Sequence, residues 1–359
     1  MAHSIQEVIQ AFAHGEIVVV TDDDDREGEG DLIVAASLCT AEKMAFIIRH
    51  TSGIVCAPIT VQDARRLRLD PMVAHNDSNH TTAFTVSIDY KPDNGTGISA
   101  DERASCCRAL ANPNAGANDF ARPGHIFPLI AREGGVLLRS GHTEAAVDLC
   151  KLAGLPPVGV ISELMNDDGS VMKGEQVSEF AKKHGLKHVT IAGLIAYRQA
   201  REKLIERVAS FTMDSPIGPM QGYAYRSPFD SIAHVALVYN GIGDGKNVLT
   251  RFHKPNIMKE MFTGPRRMEA VLEHFKKAGS GVLVYLRDGA AGVPVEPIDE
   301  PQSSAEADRH KQWREIGVGA QILRDLGVTS IRHLTSSQLD YKGLSGFGIE
   351  IVCNERLEG

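Results

Sequence analysis

The sequence predicts an α/β (α+β) protein of two domains. Three observations predict it. Short β-branched runs alternate with stretches of helical apolar period. The alternation lapses near residue 210 and then restarts. The chain has 359 residues, and at roughly 100–200 residues per domain two is the natural number. The expected division is 1–208 and 209–359.

The elements follow in order. Ser4 and Glu7 have capping-box spacing, and Ile5, Val8, Ile9 and Phe12 continue with a helical period to Gly15. Residues 17–21 form a β-branched run and read as a buried strand. A helix is expected at 44–50, strands at 53–59 and 84–88, and a helix at 101–110. Residues 121–129 are punctuated by Pro123, Gly124 and Pro128 and read as a stiff loop. A short strand is expected at 136–138. The helix at 142–153 carries Ala146, Leu149, Cys150 and Ala153 on one stripe, with Gly154 as its stop. A strand at 158–164 leads into the turn 166–169, and a helix is expected over 194–208. In the second half, strands are expected at 234–239, 281–286, 331–334 and 348–352. Pro265 opens a helix with Met268, Val271, Leu272 and Phe275 inward, another helix spans 313–326, and 294–301 is an irregular loop. No internal repeat is visible.

Composition narrows the function. The chain carries 46 Asp+Glu against 38 Lys+Arg, a net charge of −8. Residues 22–31 alone hold seven acids and one Arg, a local −6. With 43% hydrophobic and 23% charged residues the chain is globular. No apolar run approaches the ~18 residues of a membrane span. No broad basic face offers itself to nucleic acid. The start lacks a basic segment followed by an apolar one, so a cytoplasmic protein with six reduced cysteines is expected.

The acidic knot follows a buried strand, where loops of α/β folds gather ligands. Its carboxylates repel one another, and a divalent cation relieves that repulsion; hard oxygen ligands select Mg²⁺ or Mn²⁺. A calcium EF-hand starting at Asp23 fits at Gly28 but fails at Glu27 and Val34, and it follows a strand rather than a helix. The segment from Arg139 to Glu144 sits at an expected helix start, which favours an anion through free N–H groups, with donors from Arg139 and Thr143. His142 there is a candidate metal ligand; the plain alternative is an ordinary helix start. Two prolines hold His125 in the 122–128 segment, either as a positioned acid/base or as a structural turn histidine. Glu163 ends an apolar strand, as a surface residue or as a partly buried acid. Together these groups suit enolisation of a phosphorylated sugar.

Six ordered stretches carry a resemblance: DDDDREGEGD from Asp22, RHTSGIVC from Arg49, TGISADER from Thr96, RPGHIFP from Arg122, RSGHTEA from Arg139 and ELMNDDG from Glu163. Residues from about 5 to 200 resemble 3,4-dihydroxy-2-butanone 4-phosphate synthase, a lyase of riboflavin biosynthesis. The resemblance implies that family's mixed-sheet α/β/α sandwich and the conversion of ribulose 5-phosphate to dihydroxybutanone phosphate and formate. It implies Mg²⁺ or Mn²⁺, two ions per site, with Glu27 and His142 as ligands. It implies substrate contacts from Arg26, Glu27, Asp31, Arg139, Ser140, Gly141, His142, Thr143 and Glu163. His125 and Glu163 match the acid/base pair, and Asp22 and Cys56 match residues lining the site. A homodimer with active sites at the subunit interface is also implied. Ser105 and Cys106 stand where the family has two threonines, which leaves Cys106 without a hydroxyl for a phosphate contact.

The second half resembles a GTP cyclohydrolase II domain through HVALVY from His234, Arg251-Phe252-His253, GVLVY from Gly281 and the stretch containing LGVTSIRHLT. That activity needs zinc held by three cysteines, and residues 210–359 contain one, Cys353. The expectation is therefore a cyclohydrolase-like domain without zinc and without activity. The alternatives are a bifunctional enzyme that keeps GTP cyclohydrolase II activity and a scaffold or binding module.

Overall fold

A computed structural model describes residues 3–22, 27–78, 82–93, 95–203, 205–227, 230–253, 255, 266–287, 317–335 and 349–357. The chain forms two compact units, Met1–Tyr197 and Arg198–Gly359. The division expected at 208/209 falls inside a strand of the second unit, β8.

The first unit is built on a seven-stranded mixed sheet of order β4-β5-β3-β6-β2-β1-β7. Its strands are β1 (Val18–Thr21), β2 (Gly30–Ala35), β3 (Cys56–Ile59), β4 (Ile88–Tyr90), β5 (Phe120–Ile130), β6 (Gly159–Glu163) and β7 (Lys187–Thr190). Its helices are α1 (Ile5–Ala13), α2 (Ala41–His50), α3 (Val61–Leu67), α4 (Ala100–Leu110), α5 (His142–Leu152), α6 (Glu175–Lys183) and α7 (Ile191–Arg201). The central strands read as continuous apolar runs because both sheet faces are covered. Val19, Leu32, Val34, Ala57 and Val160 pack with residues of α2, α3, α4 and α6. Val18, Val20, Ile33, Cys56 and Ile161 pack with residues of α1, α5 and α7. The result is an α/β/α sandwich. The expected cap of α1 forms: Glu7 N–H donates to Ser4 Oγ at 3.3 Å and Ser4 N–H to Glu7 Oε2 at 3.0 Å.

Three local expectations are corrected. Residues 121–129 are not a loop but most of β5. Pro128 is accommodated in its pairing with β3, and Gly124 lies where β4 comes closest, since a Cβ there would collide with the Ile88 backbone. The 136–138 segment is a single 3-10 turn, held by the Val136 N–H donating to buried Asp148 at 2.8 Å. The helix expected over 194–208 ends at Arg201, and the chain enters β8 at Glu206, because pairing with β9 outweighs the helical pattern.

The second unit has a sheet of order β14-β13-β11-β12-β10-β9-β8. Strands β8 (Glu206–Ser215), β9 (Gly218–Ser227) and β10 (Asp230–Tyr239) form an antiparallel meander. Strand β10 pairs antiparallel with β12 (Gly281–Tyr285). Parallel pairs then join β12 to β11 (Val248–His253), β11 to β13 (Ser330–Thr335) and β13 to β14 (Glu350–Arg356). Helix α8 (Arg266–Ala278) buries Val271 and Phe275, as its pattern predicts. A further helix, α9, spans 317–325. Pro265, the loop 294–301 and residues 313–316 and 348 lie outside the described residues. No helix among the described residues is long and apolar enough to cross a membrane.

Candidate active site

Register brings the candidate residues to one end of the first sheet. Strand β2 runs antiparallel to β1, so Thr21 faces Gly30 and Val20 faces Asp31. Strand β6 runs antiparallel to β2 and sets Glu163 opposite Asp31. Cys56 on β3 faces Ile161 of β6 and Phe127 of β5. Glu163 is two residues from Ile161, so the period of two puts it on the same sheet face as Cys56 and Asp31, while His125 lies in the stretch of β5 between Ala121 and Ile126 where the register with β4 shifts. Helix α5 covers that face, and His142 is its first residue.

Among its described residues, the two ends of the acidic knot are tied together. Asp22 accepts the Glu27 N–H at 3.2 Å and the Glu29 N–H at 2.9 Å, so its carboxylate ties the end of β1 to the start of β2. Lys173 donates to the Glu27 carbonyl at 2.7 Å and stands 3.4 Å from Glu29 Oε1. His142 Nε2 lies 3.2 Å from the Val20 carbonyl. A carbonyl only accepts, so Nε2 carries a proton, and Nδ1 faces Glu27 Oε2 and Asp31 Oδ1, each 3.8 Å away. Asp22, Glu27 and His142 offer ligand atoms within 4.8 Å of one another, the one such group of three among the described residues.

Asp31 is 3% exposed, and its Oδ1 has no hydrogen-bond partner among the described residues. Burial, and then the charges of Glu163, Glu27, Asp22 and Glu29, push its carboxyl well above the usual carboxylate range. A buried oxygen without a donor, next to other carboxylates and an imidazole nitrogen, is what a hard divalent cation would satisfy. The residues present therefore fit such an ion, with Asp22 and Asp31 joining Glu27 and His142 around it. Arg26 and Asp23–Asp25 lie outside the described residues.

His125 has a partner that sequence reasoning missed. Asp89, at the middle of β4, accepts the His125 backbone N–H at Oδ1 and the ring Nδ1–H at Oδ2, both at 2.8 Å. The imidazole is thereby held in one tautomer, with Nε2 as its basic nitrogen. The available signal was an acid directly after the alternating segment 84–88. Glu163 is exposed at the end of β6, and its Oε2 accepts from Ser52 Oγ at 3.0 Å. Burial, and then the charges of Glu163 and Asp31, push the Cys56 thiol up, so it lines the site as a neutral thiol.

At the start of α5, Gly141 is the N-cap and supplies no side-chain cap. A Cβ there would meet the Arg139 guanidinium and the Glu144 carboxylate. Glu144 is 1% exposed; it accepts from Arg139 Nη1 at 2.7 Å and from the Arg132 N–H at 3.0 Å. Arg139 Nη2 donates to Thr82 at 3.1 Å. Ser140 and Thr143 are buried beside them. Cys106 is different: it belongs to the core on the opposite sheet face, with its thiol toward the Ile88 carbonyl.

In the second unit, His253 ends β11 and stacks on Tyr285 of β12 at 5.3 Å. His234 Nδ1 accepts from the Arg287 N–H at 3.2 Å. Cys353 is exposed on β14.

A covered sheet end bearing clustered carboxylates and an Asp-supported histidine belongs to an acid–base enzyme. Comparison with known proteins makes the class particular. Residues 6–197, more than half of the chain, match the family described as 3,4-dihydroxy-2-butanone 4-phosphate synthase, and residues 206–356 match GTP cyclohydrolase II. A chloroplastic bifunctional riboflavin biosynthesis protein, RIBA 1 of Arabidopsis thaliana, is 44% identical over 97% of this chain and 68% of its own length. The riboflavin biosynthesis protein RibBA of Bacillus cereus is 42% identical over 98% of this chain and 92% of its own. A second Arabidopsis relative, 43% identical over 97% of this chain and 75% of its own, is named monofunctional. Among solved structures, RibBX of A. baumannii, a two-domain 3,4-dihydroxy-2-butanone 4-phosphate synthase, is 35% identical with a TM-score of 0.81 and covers 99% of this chain and 100% of its own. A synthase solved with two magnesium ions is 48% identical with a TM-score of 0.55, covering 55% of this chain and 98% of its own. The chain belongs to the 3,4-dihydroxy-2-butanone 4-phosphate synthase family of riboflavin biosynthesis, fused to a GTP cyclohydrolase II domain.

These findings correct one expectation. A catalytically inactive second domain is not supported: the cyclohydrolase II match spans nearly all of that half, and a relative similar over almost the whole chain is named bifunctional. The cysteine count spoke to one thiolate ligand set and not to the domain's activity.

Proposed function

We propose that the first unit converts ribulose 5-phosphate to 3,4-dihydroxy-2-butanone 4-phosphate and formate. The observation that carries this reading is the orphaned, buried Asp31 oxygen beside Glu27 and His142, in a chain of the synthase family. Asp22, Glu27, Asp31 and His142 would hold Mg²⁺ or Mn²⁺, two ions per site and no zinc. When bound, the ions supply positive charge for oxygens that become anionic during enolisation. His125 moves a proton at Nε2 while Asp89 holds Nδ1. Glu163, steadied by Ser52, is the second proton-transfer group and also touches substrate. The uncapped first turn of α5, with Arg139, Ser140, Gly141 and Thr143, receives the phosphate. Arg26 contacts the substrate from the acidic loop. Cys56 and Asp22 line and shape the site.

We further propose a homodimer with active sites at the interface. Exposed Ile54, Ile98 and Leu138 support it, since the first two lie inside site motifs and Leu138 directly precedes a third. The test of function is formate release from ribulose 5-phosphate with Mg²⁺. EDTA abolishes the rate, and E27Q loses most of it. A folded wild type that releases no formate, or an undiminished E27Q, overturns the reading.

A second reading concerns the second unit. Its family match and the bifunctional relative favour GTP cyclohydrolase II activity, with zinc held by ligands other than three thiolates. Formate release from GTP together with stoichiometric zinc establishes it. A chain with neither carries the lyase activity alone.

A further inference from the structure

Two motifs of the first unit, TGISADER and RHTSGIVC, are only partly used by the site. In the first, Ser99 and Glu102 form the capping box of α4: Glu102 N–H donates to Ser99 Oγ at 3.2 Å and Ser99 N–H to Glu102 Oε2 at 3.0 Å. Arg103, the next residue, is 8% exposed, and burial works against its charge. Among the described residues its one hydrogen bond runs from Nη1 to the Gly53 carbonyl, at 3.2 Å, and its Nε has no partner. A buried cation so weakly paired costs the fold free energy.

The Gly53 carbonyl belongs to the second motif. Gly53 has a φ of 74°, a left-handed conformation that glycine adopts without strain. The N–H of the same peptide unit, on Ile54, donates back to Ser52 Oγ at 3.3 Å. The Ser52 hydroxyl donates to Glu163 Oε2 at 3.0 Å. Ser162 Oγ also lies 3.5 Å from Ser52 Oγ, but it has nearer acceptors, Thr51 Oγ1 at 2.8 Å and the Ile54 carbonyl at 3.0 Å, so the Ser52 proton is left to Glu163. The Ser52 backbone is fixed as well, its N–H donating to the Glu163 carbonyl at 2.9 Å.

Every donor in this chain points the same way. The Arg103 guanidinium donates to the Gly53 carbonyl, the Ile54 N–H to Ser52, and the Ser52 hydroxyl to Glu163. A cation stands at one end and a carboxylate at the other. Aligned hydrogen bonds polarise one another. Drawing charge onto the Gly53 oxygen makes the Ile54 N–H a better donor, and that in turn makes the Ser52 hydroxyl a better donor to the carboxylate. Glu163 Oε2 is engaged by this chain, which leaves Oε1 for proton transfer.

We propose, resting on the synthase reading above, that Arg103 is a positioning residue for Glu163, acting through the Gly53–Ile54 peptide and Ser52. Arg103→Met keeps the side-chain volume and removes the charge. An apolar group of similar size in place of a buried charge leaves stability unchanged or raised, so the variant stays folded. Its kcat for formate release falls about tenfold, the worth of one charge-assisted hydrogen bond. Ser52→Ala falls by a similar factor, and the double variant falls little further, because both substitutions cut one chain. Arg103→Lys, which keeps a charged donor, recovers part of the loss. In the metal-free protein the Ile54 amide proton moves upfield by NMR in Arg103→Met as in Ser52→Ala, which a merely structural role would not produce. With an active wild type, an undiminished Arg103→Met, losses that multiply in full in the double variant, or an Ile54 signal that Arg103→Met leaves in place overturns the inference alone. A folded wild type that releases no formate overturns the synthase reading itself, and the role of Arg103 with it.

Discussion

His125 and Asp89 show how much a single pair of side chains decides. The carboxylate accepts two donors of one residue, so it fixes both the backbone and the ring. Asp89→Asn keeps the shape but turns an NH₂ group toward a donor and loses the tautomer. Its kcat falls by about 10²–10⁴-fold, the usual worth of a positioned acid or base, while KM changes little. Steady-state kinetics across pH checks this; a purely structural role would lower stability instead. Glu144 predicts the opposite split. Glu144→Gln weakens a charge-assisted bond to Arg139 worth about 1.5 kcal/mol, so KM for the phosphorylated substrate rises about tenfold with kcat nearly kept. Glu27, Asp31 and His142 were legible in the sequence because each lies inside a short motif. Asp89 was not, because its partner stands 36 positions away and meets it only through the β4–β5 pairing.

Among the elements, those with one dominant physical signal were legible. The β-branched run of β1, the capping box of α1 and the stripe of α5 each satisfy local preference and tertiary packing together. Strand β2 was hidden because its first residues belong to the acidic knot, and its apolar half is too short to stand alone. Strand β5 was hidden because proline and glycine ordinarily punctuate loops. Here the glycine is a packing requirement, since the β4 backbone occupies the place of a side chain. Gly124→Ala must therefore push β4 and β5 apart, at a cost of about 1–3 kcal/mol. It must also shift His125, the next residue, away from Asp89. The expected outcome is a lowered unfolding midpoint together with a lowered kcat. A variant that keeps both would mean that β4 gives way freely.

At the scale of the molecule, the two units carry separate sheets and separate cores, so they need not answer acid alike. The fusion was legible from the restarted alternation, but a count of thiolates could not fix the second domain's activity, because ligand chemistry is assembled in space. That domain has its own acid-sensitive group. His333 on β13 is 1% exposed, 5.7 Å from the Phe252 ring, with Nδ1 3.2 Å from Asn354 Oδ1. Burial holds its pKa down to about 4, helped by the Arg251 charge and opposed by the Asn354 bond. The unfolded chain takes up this proton near pH 6.5, so between there and about 4 it binds more protons than the folded unit. Stability is thus full above pH 6.5 and falls as the pH drops toward 4. From pH 7 to 5 the loss is about 2 kcal/mol. Hydrogen exchange of the β11 and β13 amides measures it. His333→Gln, which keeps a hydrogen-bonding end but takes up no proton, flattens that slope, and an unchanged slope would place the acid sensitivity elsewhere.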